Sequence, residues 1–223
     1  MNKVCVLQLD TKFPRIPGDV ACHETFVTDI RVVKIKKAFV NNIVRGIPED
    51  DQFIRFEKEI RKSNEPLIIT SCGFTFYWQD RLSQLTPSNI ISSSLCCLDL
   101  KRNIYRDEEI LILTFDEEKL RLLINSNLKK PFEGHILGLR KNHHLYNTII
   151  NDVDHLCDNT VQKELNDLLQ NFLVGKNIKL LILECTNIPP YKKAFRTFFH
   201  GEMIDILSLV EETLPGSVNP RFL

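Results

Sequence analysis

Short apolar runs recur along the chain in two sets, separated by polar and turn-forming stretches. Val4–Leu9 is almost uninterrupted (Val-Cys-Val-Leu-Gln-Leu), the signature of a strand buried on both faces. A loop with Pro14, Pro17 and Gly18 follows, which excludes a helix or central strand there. Four basic residues interspersed with apolar ones from Arg31 to Lys37 read as a strand with one wet face, expected over Ile30–Ile35. Phe53, Phe56 and Ile60 recur at helical spacing among charges, predicting a surface helix over residues 49–62. Pro66 then precedes an apolar run ending in Thr70-Ser71-Cys72-Gly73, with a helix predicted from about Phe74 and a further strand over residues 89–92.

The pattern restarts at Ile110. Ile-Leu-Ile-Leu-Thr-Phe-Asp over residues 110–116 echoes Val-Cys-Val-Leu-Gln-Leu-Asp over residues 4–10, and residues 117–125 read as a helix. A strand over residues 135–139 leads to a periodic helix carrying Val161, Leu165, Leu168, Leu169, Phe172 and Leu173 on one face. Leu180–Leu183 is the next buried run, ending in Glu184-Cys185-Thr186, and Pro189-Pro190 stands at a helix start, where proline is tolerated. A strand over residues 203–206 and a C-terminal helix complete the set. The spacing implies duplicated α/β halves of about 100 residues each, a normal domain size.

In this alignment of halves, Cys72 and Cys185 occupy matching places at the carboxyl ends of buried parallel strands, where open α/β sheets bind ligands. Two thiols facing one cleft can act as a paired base and acid. A thiolate removes a proton from a carbon acid on one face, and a thiol delivers a proton to the other, inverting a stereocentre without a cofactor. Cysteine suits this work because its ordinary pKa of about 8.5 is readily shifted by helix starts and neighbouring donors. The competing reading is that both thiols fill space, as free cysteines often do.

Composition narrows the setting without adding chemistry. The 29 Lys and Arg balance 29 Asp and Glu over 223 residues, and no long basic block occurs, so neither nucleic acid nor a membrane surface is supported as partner. No stretch reaches transmembrane length and the N-terminal apolar run is too short for a signal peptide core. Seven cysteines without an export signal then imply reduced thiols and a cytoplasmic location.

Three stretches carry a resemblance: Pro14-Arg15-Ile16-Pro17-Gly18-Asp19, Thr70-Ser71-Cys72-Gly73-Phe74, and Leu183-Glu184-Cys185-Thr186-Asn187-Ile188-Pro189-Pro190-Tyr191. With Ile204-Asp205-Ile206-Leu207-Ser208-Leu209 near the end, the chain resembles the aspartate/glutamate racemase superfamily over nearly its whole length, in a branch with the Pro-Arg-Ile-Pro-Gly-Asp loop. The resemblance implies an α/β fold of two pseudo-symmetric Rossmann-like halves, each a mainly parallel sheet flanked by helices, with the active-site cleft between them. The expected halves are residues 1–107 with 207–223, and residues 108–206. It implies a cofactor-independent amino-acid racemase or epimerase with Cys72 and Cys185 as acid/base pair on a small carboxylate substrate. It also implies carboxylate binding by Thr114, Thr186 and Asn187, with the backbone N–H groups of Gly73 and Phe74. Glutamate racemases usually carry Asn and Thr where this chain has Gly73 and Phe74, which changes the pocket. A cis–trans isomerase, a decarboxylase or a non-catalytic carboxylate-binding protein of the same fold are the alternatives.

Other constellations are weaker. Arg15 can close its loop over substrate or simply pair with Asp19, and Ser93 can line the cleft after the fourth strand or merely end it. His143, His144, His155 and Cys157 match no standard zinc spacing, so no metal is expected. No glycine-rich nucleotide loop occurs, and no cofactor is expected. A homodimer is admitted as the quaternary state.

Overall fold

The computed structural model describes residues 3–223. Eight strands form two separate four-stranded sheets, each parallel throughout. The first has the order β2-β1-β3-β4 and contains β1 (Val4–Leu9), β2 (Ile30–Ile35), β3 (Leu67–Thr70) and β4 (Asn89–Ile91). The second has the same order, β6-β5-β7-β8, with β5 (Ile110–Thr114), β6 (His135–Gly138), β7 (Leu180–Leu183) and β8 (Glu202–Ile204). Each half is therefore built alike, its central pair being β1–β3 or β5–β7. Every residue of β1, β3, β5 and β7 is buried, which is why these strands read as continuous apolar runs.

Helices cover the sheets: α1 (Val40–Ile43), α2 (Asp50–Ile60), α3 (Gln79–Ser83), α4 (Leu98–Lys101), α5 (Glu117–Asn127), α6 (His144–Ile150), α7 (Asp158–Leu173), α8 (Lys192–Phe195) and α9 (Ile206–Thr213). The long amphipathic ones fall close to their expected spans. The helix expected from Phe74 differs: residues Gly73–Trp78 form a 3₁₀ turn, and α3 begins only at Gln79. The aromatic and β-branched run Phe-Thr-Phe-Tyr-Trp favours helix poorly. Phe74 and Trp78 are fully buried, with Trp78 packed edge-on to Phe53.

The C-terminal segment crosses back to the first sheet. Asp205 caps α9 by accepting from the Ser208 N–H at 2.8 Å, which stops the last strand short of its expected end. α9 packs on β4 as well as β8, and Val218 pairs antiparallel with Phe26. No helix among the described residues is long and apolar enough to cross a membrane.

Candidate active site

The two cysteine turns are built by the same bonds. At the end of β3, the Ser71 N–H donates to the Leu7 carbonyl of β1 (3.0 Å). At the end of β7, the Glu184 N–H donates to the Leu113 carbonyl of β5 (2.9 Å). Each cysteine then closes a tight turn through its own carbonyl, which accepts from Thr75 (3.1 Å) or from Ile188 (3.0 Å). This leaves the N–H groups of Gly73 and Phe74, and of Thr186 and Asn187, ahead of the first bond of each turn. The pairing expected from sequence thus extends to backbone hydrogen bonds.

Cys72 and Cys185 line one small cavity of about 30 Å³. Gly73, Phe74, Thr186, Asn187 and Arg15 line it too, with Phe13, Phe115 and Ile149 as apolar walls. Thr114 and Ser93 are not among the lining residues. The Thr114 hydroxyl instead donates to Glu184 Oε2 at 2.6 Å, and the Ser93 hydroxyl accepts from the Leu95 N–H at 3.2 Å, capping a turn.

The long proline-bearing loop supplies the third wall. Arg15 donates to Asp19 (3.1 Å) and to the Thr11 hydroxyl (3.0 Å), and its guanidinium lies 4.2 Å from the centre of the Phe13 ring. Asp19 also accepts from the Asn187 side chain at 2.6 Å, tying the loop to the second cysteine turn. The turn needs Gly18, whose φ is +103° and whose Cα faces Pro190 too closely for a Cβ. Across the cleft, Thr186 donates to the Ser71 carbonyl at 2.7 Å, joining one cysteine turn to the other.

Burial dominates the electrostatics. Desolvation, then the charge of Glu184, pushes the Cys72 thiol up to about 12, opposed by the Phe74 N–H and Arg15. The same two causes push Cys185 upward, and the charge of Cys72 adds to them. The Cys185 sulfur lies 3.9 Å from the Asn187 side-chain oxygen.

Glu184, to which the sequence pattern assigns no role beyond its motif, lines the cavity and is fully buried. Its Oε1 has no hydrogen-bond partner. A Cβ on Gly73 would overlap that carboxyl oxygen, so the carboxyl fills the space a side chain after Cys72 would take. The signal available in the sequence was a charged residue ending an apolar strand.

The histidine-rich stretch serves the backbone and packing. His144 Nε2 accepts from the Cys157 N–H at 3.0 Å, and its ring meets His155 edge-on at 5.7 Å. Among the described residues, no group of three or more His, Cys, Asp or Glu is arranged to hold a metal.

The two matched parallel sheets are the fold of known racemase structures, which superpose on the chain. Allantoin racemase from Pseudomonas fluorescens matches with a TM-score of 0.60 at 8% identity, covering 98% of this chain and 95% of its own. An aspartate racemase homologue from Pyrococcus horikoshii OT3 gives 0.55 at 14% identity, covering 96% and 99%. Glutamate racemase from Francisella tularensis, in complex with D-glutamate, gives 0.53 at 13%, covering 96% and 79%. By sequence, the chain is 26% identical over 241 aligned positions to dimethylsulfoniopropionate lyase 3 of Emiliania huxleyi, and equally so to lyase 6. These alignments take in 97% of the chain but 60% of the relatives, so the chain spans about three fifths of their length. No protein-family model matches.

Proposed function

We propose that the cleft is the active site of a cofactor-independent enzyme that removes a proton from the carbon next to a carboxylate. Cys72 and Cys185 act as base and acid on opposite faces of that carbon. The observation that carries this reading is the pair of identically bonded cysteine turns lining one cavity. The N–H groups of Gly73 and Phe74, and of Thr186 and Asn187, hold the carboxylate, with Arg15 beside it. The donors also stabilise the second negative charge that reaches the carboxylate oxygens as the proton leaves. Return of a proton to the other face by the second cysteine completes racemisation or epimerisation.

A second reading shares the first step. If the substrate carries a leaving group on the next carbon, the electron pair released from the C–H bond forms a double bond and expels that group. The similarity to dimethylsulfoniopropionate lyases favours it, as do the apolar walls Phe13, Phe74 and Phe115, which suit a sulfonium better than a hydrated ammonium.

The test is α-proton exchange in deuterated water over a panel of amino and hydroxy acids and dimethylsulfoniopropionate. Racemisation with exchange supports the first reading, and release of dimethyl sulfide the second. Cys72→Ser and Cys185→Ser should each abolish racemisation and cost about 10²–10⁴-fold in exchange, each retaining exchange with one enantiomer only. Elimination needs only one face, so only one of the two variants should abolish it. Full activity in both variants would overturn the assignment of the thiols, and binding of carboxylates without exchange would leave a binding protein.

A further inference from the structure

The cleft is unbalanced in charge. Among the described residues that line the cavity, Arg15 and Glu184 are the two with formally charged side chains. Arg15 is already neutralised by Asp19 at 3.1 Å, and Asp19 is itself held by the Asn187 side chain at 2.6 Å and the Ala21 N–H at 2.8 Å. Glu184 has no such counterpart. Its Oε2 accepts from the uncharged Thr114 hydroxyl at 2.6 Å, and no cation among the described residues offsets its charge. Its Oε1 is buried without a hydrogen-bond partner and stands where a Cβ on Gly73 would be, against the turn that follows Cys72. With Arg15 and Asp19 cancelling, the ionised cleft keeps one uncompensated negative charge, an arrangement that is costly until a positive charge joins it.

We infer that Glu184 sets the substrate class: the cleft takes molecules with one carboxylate and a fixed positive charge, and turns away dicarboxylates. The inference rests on the carbon-acid reading of the site and deepens it. One carboxylate takes up the backbone N–H groups of the cysteine turns and Arg15, which leaves Glu184 as the charge still to be matched. A cation on the rest of the molecule matches it, and a second carboxylate doubles the imbalance. No contact with Oε1 is required, because charge acts at a distance in a buried site. At an effective dielectric of about 20, unit charges roughly 12 Å apart still change binding about tenfold. A small ligand between the two cysteine turns lies within that reach, since Glu184 belongs to one turn and leans on the other. The phenyl walls Phe13, Phe74 and Phe115 add faces that attract a cation whose charge is spread over alkyl groups, a sulfonium or a quaternary ammonium.

The test needs no turnover. Small ligands protect Cys72 and Cys185 from iodoacetamide, read by mass spectrometry on the full chain above neutral pH, where the carboxyl is ionised. Three probes are titrated: trimethylammoniopropionate, its tert-butyl isostere with carbon in place of the charged nitrogen, and succinate. The first two differ by one charge and little else, and succinate brings a second carboxylate. In the wild type the zwitterion should protect at the lowest concentration of the three. In Glu184→Gln, measured against the isostere, the zwitterion should weaken about tenfold and succinate should strengthen about tenfold. Easier thiol ionisation in this variant changes how fast the cysteines react, whereas the half-protecting concentration reports the ligand. Thr114→Val removes the donor that favours the ionised carboxyl, so it should move both probes the same way by less, and it serves if Glu184→Gln fails to fold. Unchanged preferences in Glu184→Gln, or a parallel loss for all three probes, would overturn the inference. Absence of protection by any probe in the wild type would overturn it too. The charge preference without α-proton exchange on any substrate would remove the proposed function and leave the inference standing. Exchange on dicarboxylates that is untouched by Glu184→Gln would do the reverse.

Discussion

At the scale of single residues, Gly73 and Glu184 behave as one unit, although 111 positions separate them. The carboxyl occupies the space of the missing side chain, and a Cβ at 73 would also meet the Glu184 backbone carbonyl. Gly73→Ala should therefore cost about 1–3 kcal/mol, the usual cost of overpacking. Glu184→Ala combined with it should recover only part of that, because the carbonyl contact remains. A double-mutant cycle by denaturant unfolding would measure the coupling, and additive effects would refute the contact. Glu184 also predicts a pH signature. Its folded pKa of about 7 lies above the 4.5 of an unperturbed glutamate, so the native state binds the extra proton. Its contribution is complete at acid pH, fades as pH rises between those values and is gone above neutrality. Glu184→Gln should flatten this part of the stability curve. The sequence exposed the cysteines and the motifs around them because residue type and strand end sufficed. It could not expose the Gly73–Glu184 fit, since a glycine announces missing volume but not what fills it.

Elements were legible where burial sets the pattern. All eight strands lie within a few residues of their expected places, most sharply β1, β3, β5 and β7, which are buried throughout and therefore apolar on both faces. The turn after Cys72 has the pattern of a helix because bulky aromatics look the same in a helix and in a 3₁₀ turn until their burial is known. The start of α9 was blurred for another reason. Asp205 is wholly buried in an apolar run, where it caps the helix and pairs with buried Lys192 at 2.7 Å. Removing one partner strands the other charge. Asp205→Ala should destabilise by about 3–5 kcal/mol, and Lys192→Met by a similar amount. The two together should cost less than their sum. Thermal melting of the three variants checks this, and strict additivity would show that the pair is not energetically joined.

For the whole molecule, the duplicated halves were legible in the restart at Ile110, whereas the state of the cleft was not, since no local pattern encodes how far two halves stand apart. A cavity of about 30 Å³ holds a water or two but not a carboxylate substrate. A carboxylate substrate would have to displace one of its walls, and the loop carrying Phe13 and Arg15 is predicted to give way. It is held to the second half by Asp152, whose Oδ1 accepts from the Lys12 N–H at 2.6 Å and the Phe13 N–H at 3.2 Å. Asp152 follows α6 in a left-handed conformation with φ of +50°, which aspartate tolerates better than most residues. Asp152→Ala removes both bonds and keeps the strain, so the loop should loosen by about 1 kcal/mol or more. That is about a fivefold rise in the open population. Alkylation of Cys72 and Cys185 should accelerate by that factor at every pH, since access changes and thiol ionisation does not. Asp152→Asn keeps the acceptor oxygen and tolerates the same backbone, so its alkylation should stay near the wild-type rate. Equal acceleration in both variants would point to charge and not to the latch. No acceleration in Asp152→Ala would mean that substrate enters by another wall, the one formed by Phe115 and Ile149.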